Sequence, residues 1–161
     1  MTATYEKAVD EMFAQFLNAW NAGSAAIVGY IPEIRWTGVK PPEGQPEKPA
    51  GDKYWARVTQ ETVIEEQTSL SANVANVELG TLPASRYTAS GLLVIQLFCP
   101  KSDARSMEFG RKLAMLARSA YRGKKTESGV WFLNVRIQPL DSEELWNRFN
   151  VVAETEYDEV A

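Results

Sequence analysis

Between Tyr5 and Ala22 the apolar residues Val9, Met12, Phe13, Phe16, Leu17 and Trp20 recur at spacings of three and four, the period of a single stripe on an α-helix. Thr4 is placed to cap this helix, and Gly23 to end it in a left-handed conformation. From Tyr54 to Thr68 the period changes to two. Tyr54, Ala56, Val58 and Ile64 fall on one face of a long strand and Trp55, Arg57, Thr59 and Glu61 on the other. Ser, Asn and Gly dominate Ser69 to Pro83, where strand pairing is expected to lapse. Tyr87 to Phe98 is then apolar on both faces around Leu92, Leu93, Val94 and Ile95, as a central strand covered from both sides would be, and Pro100 stops it.

A second helix is expected over Ser102 to Arg122, with Met107, Gly110, Leu113, Ala114, Ala117, Ala120 and Tyr121 as its packing stripe. The small residues in that stripe let it sit close to a sheet. Gly123 ends it. Two alternating strands complete the chain. Over Val130 to Gln138 the pattern puts Trp131, Leu133, Val135 and Ile137 inward and Phe132, Asn134, Arg136 and Gln138 outward. Over Trp146 to Tyr157 it puts Phe149, Val151, Ala153, Thr155 and Tyr157 opposite Asn150, Val152, Glu154 and Glu156. The order helix, strand, strand, helix, strand, strand implies an α+β fold, a largely antiparallel sheet with two main helices packed on one face. Residues 38–51, GVKPPEGQPEKPAG, carry Pro and Gly at about half their positions and predict an exposed loop, one expected to order against a neighbouring subunit.

The 161 residues suit one domain over 1–161, with 45% hydrophobic and 24% charged residues, a single cysteine and no histidine. Lack of histidine excludes imidazole-based nucleophilic triads and histidine metal ligands, and the single Cys99 excludes an intrachain disulfide. Cys99 reads as a buried thiol between an apolar strand and Pro100. No glycine-rich phosphate loop, dinucleotide fingerprint or nucleophile elbow occurs. No cofactor is expected. The start lacks a basic segment followed by an apolar run, and no apolar run approaches the roughly 20 residues of a membrane span, so neither secretion nor a membrane is expected.

Charge is distributed in blocks. Residues 1–100 hold 7 basic and 11 acidic groups, residues 101–125 hold 8 and 2, and residues 126–161 hold 2 and 8. The basic block places Arg105, Arg111, Lys112, Arg118 and Arg122 on the second helix and Lys124 and Lys125 just beyond it. The acidic block ends in Glu154, Glu156, Asp158 and Glu159. Surfaces of opposite sign on one small domain suit head-to-tail self-association, which makes these residues candidate subunit-interface residues. The alternative is a carboxylate-dependent hydrolase or divalent-metal-binding domain. Glu154 and Glu156 share a strand face about 7 Å apart, and Glu61, Glu65 and Glu66 lie on another strand. Five cations on one helix could also meet phosphates, but without any sequence-reading motif.

Several runs in order carry a resemblance. RYTASG (Arg86 to Gly91) leads into a strand ending LFCP (Leu97 to Pro100), an alanine-rich basic helix closes on AYRGK (Ala120 to Lys124), and GVWFLNVRI (Gly129 to Ile137) and ETEYDE (Glu154 to Glu159) follow. Together they resemble the tail terminator-like (tail completion or neck) proteins of tailed bacteriophages, over roughly residues 53–159. The resemblance implies a non-enzymatic subunit of a homo-oligomeric ring, a hexamer, in the virion, assembled in the host cytoplasm. Such a ring caps the tail tube protein, ends tail polymerisation and joins a head-completion or neck protein. Its lumen would lie near DNA, without reading sequence.

Overall fold

The computed structural model describes residues 2–41, 43–69 and 86–160. Its elements are α1 (Tyr5–Gly23), α2 (Ala25–Val28), β1 (Glu33–Trp36), β2 (Trp55–Ser69), β3 (Arg86–Pro100), α3 (Ser106–Tyr121), β4 (Trp131–Leu140) and β5 (Trp146–Val160). The strands form one sheet in the order β1-β2-β3-β5-β4. β1 pairs parallel with β2, and every other neighbour is antiparallel. The fold is α+β with α1 and α3 on one face of the sheet, as the periodicities imply. The lapse expected over Ser69 to Pro83 falls almost wholly on residues 70–85, outside the described residues.

The helix face and the sheet close on one core. Met12, Phe16 and Trp20 of α1 and Leu113, Ala117 and Tyr121 of α3 pack with Ala56, Val58, Leu93, Ile95, Val151 and Ala153. Each large aliphatic or aromatic side chain so buried contributes about 1.5–3 kcal/mol. β3 lies at the centre of the sheet, which explains its two apolar faces. Two of the core aromatics have their polar ends satisfied by backbone: Trp20 Nε1 donates to the Pro32 carbonyl at 2.9 Å, and the Tyr121 hydroxyl donates to the Met12 carbonyl at 2.7 Å. Thr4 caps α1 by accepting from the Lys7 amide at 3.2 Å.

Several local expectations are corrected. Gly23 is the last residue of α1 and not a left-handed cap; α1 passes through Ser24 into α2, and Gly29, at φ 87°, makes the left-handed turn. Leu17 is exposed, because the core-facing arc of α1 is narrower than its apolar stripe. α3 begins at Ser106 and not Ser102. Residues 101–105 form a turn pinned by Asp103, whose Oδ1 accepts from the Arg105 amide at 2.9 Å and whose Oδ2 accepts from the Tyr54 hydroxyl at 2.7 Å. β1 and α2 have no counterpart in the expected order, being too short to show a period.

Two β-bulges reverse the expected facing of long strands. In β2 the pairing passes from Thr62 opposite Gly91 to Ile64 opposite Ser90. The extra residue turns Ile64 away from the helices, onto the face of Arg57 and Glu61. In β4 Leu133 pairs with Glu154 and Arg136 with Val152, with Asn134 at φ 50° in the bulge. Asn is among the few residues that adopt that conformation readily. Before the bulge Phe132 points into the core and Trp131 and Leu133 point out, the reverse of the simple alternation. Beyond it Val135 is buried and Ile137 packs on the core, as expected.

The face without helices carries a second, smaller core. Trp55 and Phe98 stack at 3.9 Å with 6° between their planes, and Trp146 meets both edge-on. All three are buried although no helix lies above them. Arg57 and Arg148 lie over Phe98, and Lys48 of the 38–51 loop lies over Trp146. That loop folds onto its own chain, with Arg35 donating to the Pro46 carbonyl at 3.1 Å.

Candidate functional site

Most of the two charged blocks falls on opposite faces of the sheet. α3 packs on the helix face through Gly110, Leu113, Ala114 and Ala117, so Arg105, Arg111, Lys112 and Arg122 stand outward on its far side or flank, with Arg118 half-buried beside them. Glu108 lies within that row. It is paired with Arg105 at 2.8 Å and Lys112 at 3.2 Å, and these hydrogen bonds hold its carboxyl down to about 2. Arg122 reaches the Val135 carbonyl at 3.4 Å. Arg111 and Arg118 make no ion pair among the described residues, and the exposed Met115 sits between them. The outward ridge is therefore basic with an apolar centre.

The acidic block divides by the alternation of β5. Glu154, Glu156 and Asp158 face the side without helices, opposite Leu92, Ser90 and Thr88 of β3. Thr88 donates to Asp158 at 2.7 Å. Glu159 lies on the other face, near the buried Tyr157 hydroxyl. Burial first, then the charges of Glu159 and Glu65, push that hydroxyl up to about 12. Glu159 is thus separated from the three residues grouped with it by sequence. On β2, Glu61 faces the open side before the bulge, and the bulge puts Glu66 on the open face and Glu65 on the helix face.

Lys125 does not join the α3 ridge. Its ammonium lies 5.2 Å from the Trp131 ring centre, and Lys125, Trp131, Glu156 and Asp158 line one cleft of about 280 Å³. Lys124 lines a separate depression with Glu11, Gln15 and Glu127. On the open face Arg136 pairs with Glu154 at 3.2 Å, both side chains more than two-fifths exposed. Trp131, Leu133 and Ile64 are 54%, 46% and 50% exposed among these acids. They are the interface candidates that alternation alone misplaced. The signals that could have found them are Asn134 following the unbroken apolar run Val130 to Leu133 and the consecutive Val63 and Ile64 in β2.

Among the described residues no group of three or more acidic or cysteine side chains is placed to hold a metal ion. Burial pushes the Cys99 thiol up to about 12. Tyr54 is raised further, by burial and then by its bond to Asp103, which fastens the turn before α3. No described helix is long and apolar enough to cross a membrane.

No protein-family model and no curated protein matches the chain. One solved structure superposes with a TM-score of 0.53 at 14% sequence identity, over 92% of this chain and 94% of its own. At that identity the likeness shows the fold alone.

Proposed function

We propose that this protein is a structural virion subunit, one copy of a homo-oligomeric ring, a hexamer, that caps the tail tube of a tailed bacteriophage. The ring ends tail polymerisation and joins the tail to the head-neck complex. Self-assembly is the part of this reading that geometry supports, and one observation carries it: a basic ridge on the helix side and an acidic, partly apolar patch on the open side of the same small domain. A copy offering both surfaces can bind one neighbour through its ridge and keep its patch free for another. The phage assignment is supported by the ordered runs from RYTASG to ETEYDE and their resemblance to tail terminator-like proteins. The function is mechanical, so its residues act by contact with a neighbouring copy, with the tube protein and with the neck.

Deleting the gene from its phage tests the reading. The expected result is tail tubes of unregulated length that fail to join filled heads, with normal particles restored when the protein is supplied in trans. Normal virions in its absence would overturn the proposal.

A further inference from the structure

We infer that the open-face patch formed by Trp131 and Leu133 and the acids beside them is the seat for the outward ridge of α3 from a second copy of this chain. The patch combines half-exposed apolar side chains with Glu61, Glu154 and Glu156, and the register places them in adjacent rows across β2, β3, β5 and β4. Four strands span roughly 14 Å from first to last. The ridge presents Met115, 51% exposed, with Arg111 and Lys112 one turn before it and Arg118 one turn after. From Arg111 to Arg122 it runs roughly 16 Å along the helix axis. The two surfaces therefore match in length, are opposite in sign, and each sets exposed apolar side chains beside its charges, Met115 on the ridge and Trp131 and Leu133 of the edge strand β4 next to Glu156 and Glu154 of β5. A large, half-exposed aromatic such as Trp131 is the kind of side chain that anchors protein interfaces once a partner covers it.

The patch is not bare of cations. Arg136 pairs with Glu154, and Lys125 lies over Trp131. Both are solvent-exposed interactions of little strength, which an incoming helix can exchange for its own. Glu156 makes no ion pair among the described residues. A second copy is the occupant that fits, because the complementary ridge is on this same chain and points away from the patch. The contact is then heterologous and repeats from copy to copy. This inference deepens the ring reading and rests on it for closure of the repeated contact into a ring.

Charge exchange tests it. One variant carries Glu154→Lys with Glu156→Lys, the other Arg111→Glu with Arg118→Glu. Wild type is expected to sediment as an oligomer, and each variant alone to associate about 100-fold or more weakly, because like charges then face each other. Mixed in equal amounts, the two variants should assemble again, since each reversed surface meets its reversed partner. Circular dichroism and melting establish that each is folded. Should a variant fail to fold, zero-length carbodiimide cross-linking of wild type, mixed from light and isotope-labelled copies, reads the same contact as a linkage from Lys112 of one copy to Glu154 or Glu156 of another. A wild type that stays monomeric at every concentration overturns the inference. So does a folded variant that assembles like wild type, a mixture of folded variants that stays apart, or an oligomer cross-linked only elsewhere. Failure of the phage reading is distinguishable. Normal virions after gene deletion with charge exchange intact refute the tail function alone, whereas unregulated tails rescued equally well by wild type and by both variants refute the interface alone.

Discussion

Gly110→Ala sets two effects of opposite sign against each other. Alanine in place of glycine inside a helix gains about 1 kcal/mol from backbone propensity, and α3 would benefit if nothing lay against that position. A Cβ there, however, would stand 2.5 Å from Phe149 Cε2, 2.9 Å from Cys99 Sγ and 3.1 Å from Phe149 Cδ2. Carbon atoms in favourable contact lie about 3.5–4.0 Å apart, so the closest approach is short by about 1 Å. Phe149 and Cys99 are both buried on adjacent strands and cannot swing into solvent. The helix must lift from the sheet, at an overpacking cost of about 1–3 kcal/mol. With both partners unable to move, the upper part of that range applies, for a net loss of about 1–2 kcal/mol. For a chain of this size that lowers the melting temperature by about 2–8 °C. Urea unfolding followed by circular dichroism measures it. Gly23→Ala is the control, since its Cβ would meet the methyl groups of a half-buried Leu116, which can rotate away, and no loss is expected. Gly110→Ala equal to wild type or more stable would refute the close seating of α3 on β3 and β5.

Three further outcomes follow from the packing and the titrating groups. Trp146→Ala should cost about 3–5 kcal/mol, because it empties one third of the Trp55–Phe98–Trp146 cluster; a loss below about 1 kcal/mol in urea would show the open-face core to be dispensable. The Cys99 thiol should react with a disulfide reagent only as fast as the protein opens. Because its folded value is raised from 9.0 to about 12, its contribution to stability is complete below pH 9 and is lost as pH rises through 12, so alkaline melts should fall in that window, and fast labelling at neutral pH would contradict the burial. Glu108 runs the other way. Held down to about 2 by Arg105 and Lys112, it should titrate by NMR well below 4.5, with its contribution present above 4.5 and lost as pH falls toward 2; an ordinary carboxylate value would mean the ion pairs on the α3 ridge do not form in solution.

The sequence by itself determined the layers of this protein, because helix and strand periods act over many residues and tolerate local exceptions. The stripe of α1, the small-residue seam of α3, the double-sided β3 and the clean alternation of β5 were all legible in this way. The acidic and basic blocks were legible too, since charge adds along the chain. Facing was not. A single inserted residue reverses every side chain beyond it, and Val63 and Asn134 do so in β2 and β4. That decided whether Trp131, Leu133 and Ile64 lie in the core or on the surface, and whether Glu65 belongs with the other acids. The short β1 and α2 hold too few residues for any period, and their places come from pairing with β2 and from the turn at Gly29. Only the tertiary structure placed the basic ridge and the acidic patch on opposite sides of one sheet. Strand register and helix packing relate residues far apart in the chain, and no local pattern encodes that relation.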